Sequence, residues 1–240
     1  MIPSTLRIVR QLRNDPRTIA LVLVAPALLL TLLYYVFADV PAQPSPFRRI
    51  GPIMLAVLPM LMMFLVTSVA MLRERTSGTL ERILTTPVSK WGLIGAYGLV
   101  FGLLGLLQAA VLSALILWAF DLEVKGPWWA LLVVALADAL IGVSFGILAS
   151  SLATNEFQAV QFMPVFVGPQ LFLCGLLVPT EHMPRALELV AHWLPMTWAV
   201  DVVREITAGD AVSWLKVAGI FALSMVVLFL ASLTLRRKTR

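Results

Sequence analysis

The chain has 240 residues, of which 60% are hydrophobic and only 13% charged, with a formal net charge of +5 and a single cysteine. A soluble domain is roughly 45–50% apolar and about 25% charged, so this composition excludes an ordinary soluble enzyme and points to the bilayer. The basic residues collect at the ends of apolar runs rather than on a face interleaved with aromatics, which sets nucleic acid aside as a partner.

The first segment, STLRIVRQLR, places Leu6, Val9 and Leu12 roughly on one helical face and Arg7, Arg10 and Arg13 on another. That pattern predicts a helix lying in the membrane interface against anionic lipid. The apolar run that follows is span-length and has no small-residue cleavage pattern after it, so it reads as a retained span rather than a signal peptide. Six spans are predicted, over residues 18–38, 52–72, 93–120, 128–152, 159–178 and 214–235. Each is expected to be helical, because a lone span satisfies its backbone polar groups in lipid only in that way. Pro26, Pro59, Pro164 and Pro169 fall inside spans and are expected to kink them.

Twelve Lys and Arg residues flank the first span, the connection between the second and third, and the end of the sixth; six lie on the other side. The positive-inside bias then places both termini in the cytoplasm of a plasma or inner membrane. It places the stretch RERTSGTLERILTTPVSKW, residues 73–91, there as well. In that stretch Ser77 is a candidate N-cap, Leu80, Ile83 and Leu84 share a face, Glu81 and Arg82 lie elsewhere, and Pro87 stops the helix. A short helix over 77–85 with an exposed apolar patch is predicted. A loop needs no such patch; a docking surface for a partner does.

In the fourth span Asp138 is the one deep carboxyl, and its cost in hydrocarbon predicts that it faces protein or water. It could line a substrate path, carry a proton, pair with a neighbouring helix or stay protonated. Gly98 and Gly102, then Gly142 and Gly146, recur at the spacing of close helix packing. Cys174 sits in LFLCGLLV, reads as a small buried hydrophobe, and as a lone cysteine excludes an internal disulfide. The connection over 179–213 is divided by Pro195 into two short amphipathic helices. Their stripes are Leu187, Val190 and Leu194, then Val200, Val203 and Ile206, with Asp201, Arg204 and Glu205 as the polar side. His182 and His192 read as surface or interface histidines rather than metal ligands.

The sequence contains no GxxxxGK[ST], HExxH, CxxC or GxSxG, so no nucleotide, metal or nucleophile site is expected in this chain. Any ATP energy must come from another polypeptide. An intramembrane enzyme would need a second carboxylate, a Ser–Lys pair or a metal cluster facing one cavity, and Asp138 stands alone among the spans. An ATP-independent carrier or channel is the remaining alternative; no repeat relates residues 1–120 to 121–240.

Two motifs resemble the membrane subunit of type-2 ABC transporters, closest to the daunorubicin-resistance-type permeases. One is Arg73 to Lys90, similar to E-R-E-x-G-T-L-E-x-L-x-x-T-P-V-S. The other is QFMPVFVGPQLFLCGLLVPTEHMPRALELVAHWLPMTWAVDVVRE, residues 161–205, similar to a long ordered pattern ending P-x-T-x-x-x-D-x-x-R. The resemblance covers nearly the whole chain. It implies an all-α integral membrane domain over 1–240 with six spans, an interfacial N-terminal helix, a coupling helix and an outer re-entrant hairpin. It implies an exporter of an amphipathic drug-, antibiotic- or lipid-like molecule. Such an exporter would be built from two membrane subunits, identical or not, and two cytosolic ATPase subunits that hold the ATP and Mg. Gly78, Leu80, Glu81, Arg82, Ile83, Leu84 and Pro87 would dock on the ATPase, with Glu81 and Arg82 as polar contacts. Pro179, Pro184, Pro195, Asp201 and Arg204 would belong to the outer gate. Phe64, Asp138, Met163, Phe166 and Phe172 are candidates to line the path between subunits. Cys174 stands where a small residue such as Ser is frequent, and the short outer loops depart from subtypes with a large outer domain.

Overall fold

A computed structural model describes residues 2–41, 45–78 and 90–234. The chain enters as an amphipathic helix, α1 (Ile2–Arg13). Ile8 is buried and Leu12 half-buried, whereas Leu6 and Val9 are exposed, so the protein-facing stripe is turned from the predicted Leu6/Val9/Leu12 face. Asp15 then caps α2 (Pro16–Ala38) by accepting from the Thr18 N–H at 3.2 Å, and Pro16 supplies a preset first turn.

Four long helices complete the bundle. They are α3 (Phe47–Thr76), α4 (Lys90–Ala114, extended by a π turn over Leu115–Ala119), α5 (Trp128–Leu152) and α11 (Trp214–Thr234). With α2 they make five helices among the described residues that are long and apolar enough to cross a membrane. Each covers or overlaps a predicted span. The sixth prediction, 159–178, differs. That segment forms three short helices, α6 (Glu156–Gln161), α7 (Met163–Phe166) and α8 (Gly168–Leu173). Pro164 and Pro169 explain the breaks: each lacks a donor, and its ring crowds the carbonyl four residues back. The junction residues Phe162 and Val167 keep right-handed helical backbone angles, so the rod is interrupted rather than turned back.

Helix α5 is the centre of the bundle, packed on α3, α4 and α11. Its contact with α3 depends on two glycines. A Cβ on Gly142 would stand 2.3 Å from the Met60 carbonyl oxygen, and one on Gly146 would stand 2.8 Å from that of Phe64. Against α4 the close position is Gly105, where a Cβ would meet that of Ala139 at 2.5 Å, while Gly98 faces open space. The expected small-residue packing is therefore realised on α5, and on α4 it is shifted from Gly98 to Gly102 and Gly105.

The connection after α8 carries a 3-10 turn (Thr180–His182), then α9 (Arg185–Ala191) and α10 (Pro195–Ala208), the two short helices predicted over 179–213. Val200, Val203 and Ile206 of α10 are buried in the main core, as their stripe requires, but Leu187 and Val190 of α9 are exposed. Gly209, at φ +83°, closes α10 in the left-handed conformation that glycine adopts without strain.

Candidate functional site

The polar side chains gather at two ends of the bundle. At the end that carries α1, three consecutive residues in the last turns of α3 reach three different elements. Arg73 makes a two-pronged contact with Glu156 of α6, Nε to Oε1 at 2.7 Å and Nη2 to Oε2 at 3.0 Å. Glu74 accepts from Arg7 of α1, with Nη2 2.8 Å from Oε1 and 3.0 Å from Oε2. Arg75 donates from Nη1 to the Ser150 carbonyl near the end of α5. A step of about 100° per helical residue is what sends neighbours in sequence to three separate partners. The Arg73 hydrogen bonds hold the Glu156 carboxyl below the usual carboxylate range, although that pair is exposed and contributes little by itself.

These tethers stand immediately before the predicted 77–85 helix. Of that helix only Ser77 and Gly78 are described, Gly78 with φ +72°. Leu80, Glu81, Arg82, Ile83, Leu84 and Pro87 lie outside the described residues.

At the opposite end, α10 is held by contacts that sequence reading did not single out. Gln170 of α8 is buried; its Oε1 accepts from the Met196 N–H at 3.3 Å and its Nε2 donates to the Phe166 carbonyl at 2.8 Å. One amide thus caps the start of α10 and fastens it to the broken rod. Arg204 donates from Nη2 to the Gly175 carbonyl, and burial pushes its guanidinium below its ordinary value. Asp201 is 3.0 Å from Lys216 of α11, and Glu205 accepts from the Ser213 N–H and hydroxyl, both at 2.8 Å. The structure therefore places Asp201 and Arg204 in the contacts that clamp α10. Pro195 begins α10, and Pro179 and Pro184 precede the 3-10 turn and α9. The one sequence signal for Gln170 is a polar residue inside an apolar run, directly after Pro169. Gln170→Ala leaves the Met196 N–H without its partner. A lost buried bond of this kind costs about 1–3 kcal/mol, so the variant is expected to melt lower in detergent and to exchange the Met196 amide faster.

The path candidates divide. Phe64 is fully buried and packs with Phe166 at a centroid distance of 6.1 Å, and Phe145 joins the same group at 5.6 Å from Phe166. Met163 packs on the main core, whereas Phe172 is 63% exposed. Asp138 is fully buried, and neither carboxyl oxygen has a hydrogen-bond partner among the described residues. Cys174 is buried and free, the environment of an inert structural cysteine. Among the described residues no group of three or more His, Cys, Asp or Glu could hold a metal ion.

A family model described as ABC-2 type transporter matches residues 4–207. The chain belongs to this family. Relatives of this ABC-2 chain include the "Probable multidrug ABC transporter permease YbhR" of Escherichia coli (strain K12), 28% identical over 67% of the chain and 44% of the relative. They include the "Linearmycin resistance permease protein LnrN" of Bacillus subtilis (strain 168), 26% identical over 68% of the chain and 41% of the relative. "Nodulation protein J" of Rhizobium leguminosarum bv. viciae is 28% identical over 46% of the chain and 44% of the relative. The ABC-2 chain spans less than half the length of these relatives. The family match runs through both ends of the bundle, from α1 to the last turn of α10.

Proposed function

We propose that this ABC-2 chain is the membrane subunit of an ATP-driven exporter and that residues 77–85 are where a separate ATPase docks. The observation that carries the reading is the three-way tether at the end of α3. A push on the segment that follows it is delivered at once to α1, to the end of α5 and to the start of α6. From α6 the broken rod leads to Gln170 and α10 at the far end. The cytoplasm is assigned to the α1 end by the charge bias, which makes α10 part of the outer gate. The rod, α2 and α3 then line the path at the contact with a second permease copy, identical or paired. The chain itself binds no nucleotide; ATP and Mg belong to two partner subunits. The names of YbhR and LnrN, multidrug and linearmycin-resistance permeases, support an amphipathic drug-like cargo.

Cargo moves only if ATP binding favours one arrangement of the subunits by differential affinity. The test is co-purification of the chain with its cytosolic ATPase, comparing wild type with Leu80→Asp plus Leu84→Asp. Wild type is expected to retain the ATPase. The double variant, still inserted and monodisperse, is expected to lose it and with it all transport-coupled hydrolysis. Equal capture by both proteins moves the docking site away from 77–85, and capture by neither returns the field to an ATP-independent carrier.

A further inference from the structure

A cleft at the α1 end has a volume of about 620 Å3. That is the size range of small-molecule sites, about 300–1,000 Å3. It is walled by α1, α2, α3, α4 and α6, and its lining on α3 runs from Leu65 to Ser77. At 1.5 Å per residue this is a depth of about 18 Å, close to one leaflet of a hydrocarbon core about 30 Å thick. Its polarity is graded along that depth. Asp15, Arg73 and Glu74 stand at the mouth; Leu65 and Phe101 stand deep. A molecule with a polar head and an apolar body, oriented as a lipid is, matches that gradient.

The charges at the mouth choose the sign of the head. Glu74 is matched by Arg7, and Arg73 by Glu156. Asp15 has no ion pair among the described residues. Its oxygens are on the Thr18 N–H and hydroxyl, at 3.2 and 2.7 Å, and Arg73 and Arg17 reach it only at longer range. The Thr18 hydrogen bonds hold its carboxyl below the ordinary value, so it is anionic at neutral pH. Tyr97 and Phe101 also line the cleft, stacked with centroids 5.6 Å apart.

We propose that this cleft, lying within one protomer, is an intake site for amphipathic cations drawn from the leaflet on the α1 side, and that Asp15 sets its charge preference. The cargo role rests on the exporter reading above; the binding itself does not. Asp15→Asn separates the two duties of the residue, because asparagine caps a helix as well as aspartate does and only the charge is lost.

The experiment is equilibrium binding to the full chain, purified without any ATPase, of tetraphenylphosphonium and of its isosteric anion tetraphenylborate. Wild type is expected to prefer the cation. Asp15→Asn is expected to weaken cation binding about tenfold, the scale of one partly screened charge, and to leave or improve the anion. Val69→Trp, which adds bulk into the cleft, is expected to abolish both. Equal affinity for the two ions in wild type overturns the proposal, as does cation binding that Asp15→Asn leaves unchanged. Cation preference in a chain that fails to capture an ATPase sinks the exporter reading and leaves the site. ATPase capture without cation preference sinks the site alone.

Discussion

Gly142→Leu is expected to prevent the chain from accumulating as a folded protein. The β-carbon alone would stand 2.3 Å from the Met60 carbonyl oxygen and 3.0 Å from the Met60 Cα. Those atoms belong to the backbone of α3, which cannot turn aside as the tip of a side chain can. Overpacking a close-packed core costs about 1–3 kcal/mol even where side chains can give way. Here the whole α3–α5 crossing must open, so the cost lies at the top of that range or above it. The α3–α5 interface would then lose much of the contact that holds the bundle, since lipid supplies no hydrophobic force to bring spans together. The measurement is the monodisperse yield and thermal midpoint of the detergent-solubilised variant. Gly98→Ala is the control. A Cβ there meets nothing within 4 Å, so it is expected to match wild type or gain up to about 1 kcal/mol from the lower backbone entropy of the unfolded chain. A Gly142→Leu protein as stable as the control would mean that α3 and α5 do not cross as closely as described.

Glu74→Lys is expected to detach α1. The Glu74 side chain is 7% exposed and that of Arg7 29%, so neither charge can turn fully into water. Breaking a buried pair typically costs about 3–5 kcal/mol, and the partial exposure of Arg7 reduces that to about 2–4. The substitution adds repulsion to the loss, because two cations then share one site. Protease protection of α1 should fall while the remaining spans stay inserted, and limited proteolysis of the purified chain reads this directly. The swap Arg7→Glu with Glu74→Lys restores the attraction and is expected to recover most of the protection. If the swap fails to rescue, the contact is a matter of packing rather than charge. If the chain is the exporter subunit proposed above, Glu74→Lys also uncouples ATP hydrolysis from transport without abolishing ATPase capture, because the docking face over 77–85 is untouched.

Much of this architecture was legible because a bilayer imposes few options. Five predicted spans returned as long helices, and the two short helices expected over 179–213 returned as α9 and α10 with Pro195 at the start of the latter. The misreadings have local causes. A hydropathy run over 159–178 carries no information about continuity, and Pro164 and Pro169 decided that point. The α1 stripe was misassigned because Leu6, Ile8, Val9 and Leu12 surround much of the helix, so periodicity alone could not say which side meets protein and which meets its surroundings. Gln170 and Glu156 were not singled out, and Arg7 was read only as part of a basic face, because each is a common residue type whose importance is a partner distant in sequence: Met196, Arg73 and Glu74.

The division follows from range. Residue types and spacing by themselves determined the solvent this chain needs, the helical form of its spans and their approximate ends. All of these follow from short-range chemistry: apolar runs of about 20 residues, charges that avoid hydrocarbon, and donors that must be satisfied within a helix. The tertiary structure alone decided which glycine meets which backbone. It alone decided that Arg73, Glu74 and Arg75 reach three elements, and that Asp15 stands at the mouth of a leaflet-deep cleft. These depend on the relative placement of helices whose outward faces are all apolar, and hydrophobicity cannot distinguish a face that meets lipid from one that meets protein.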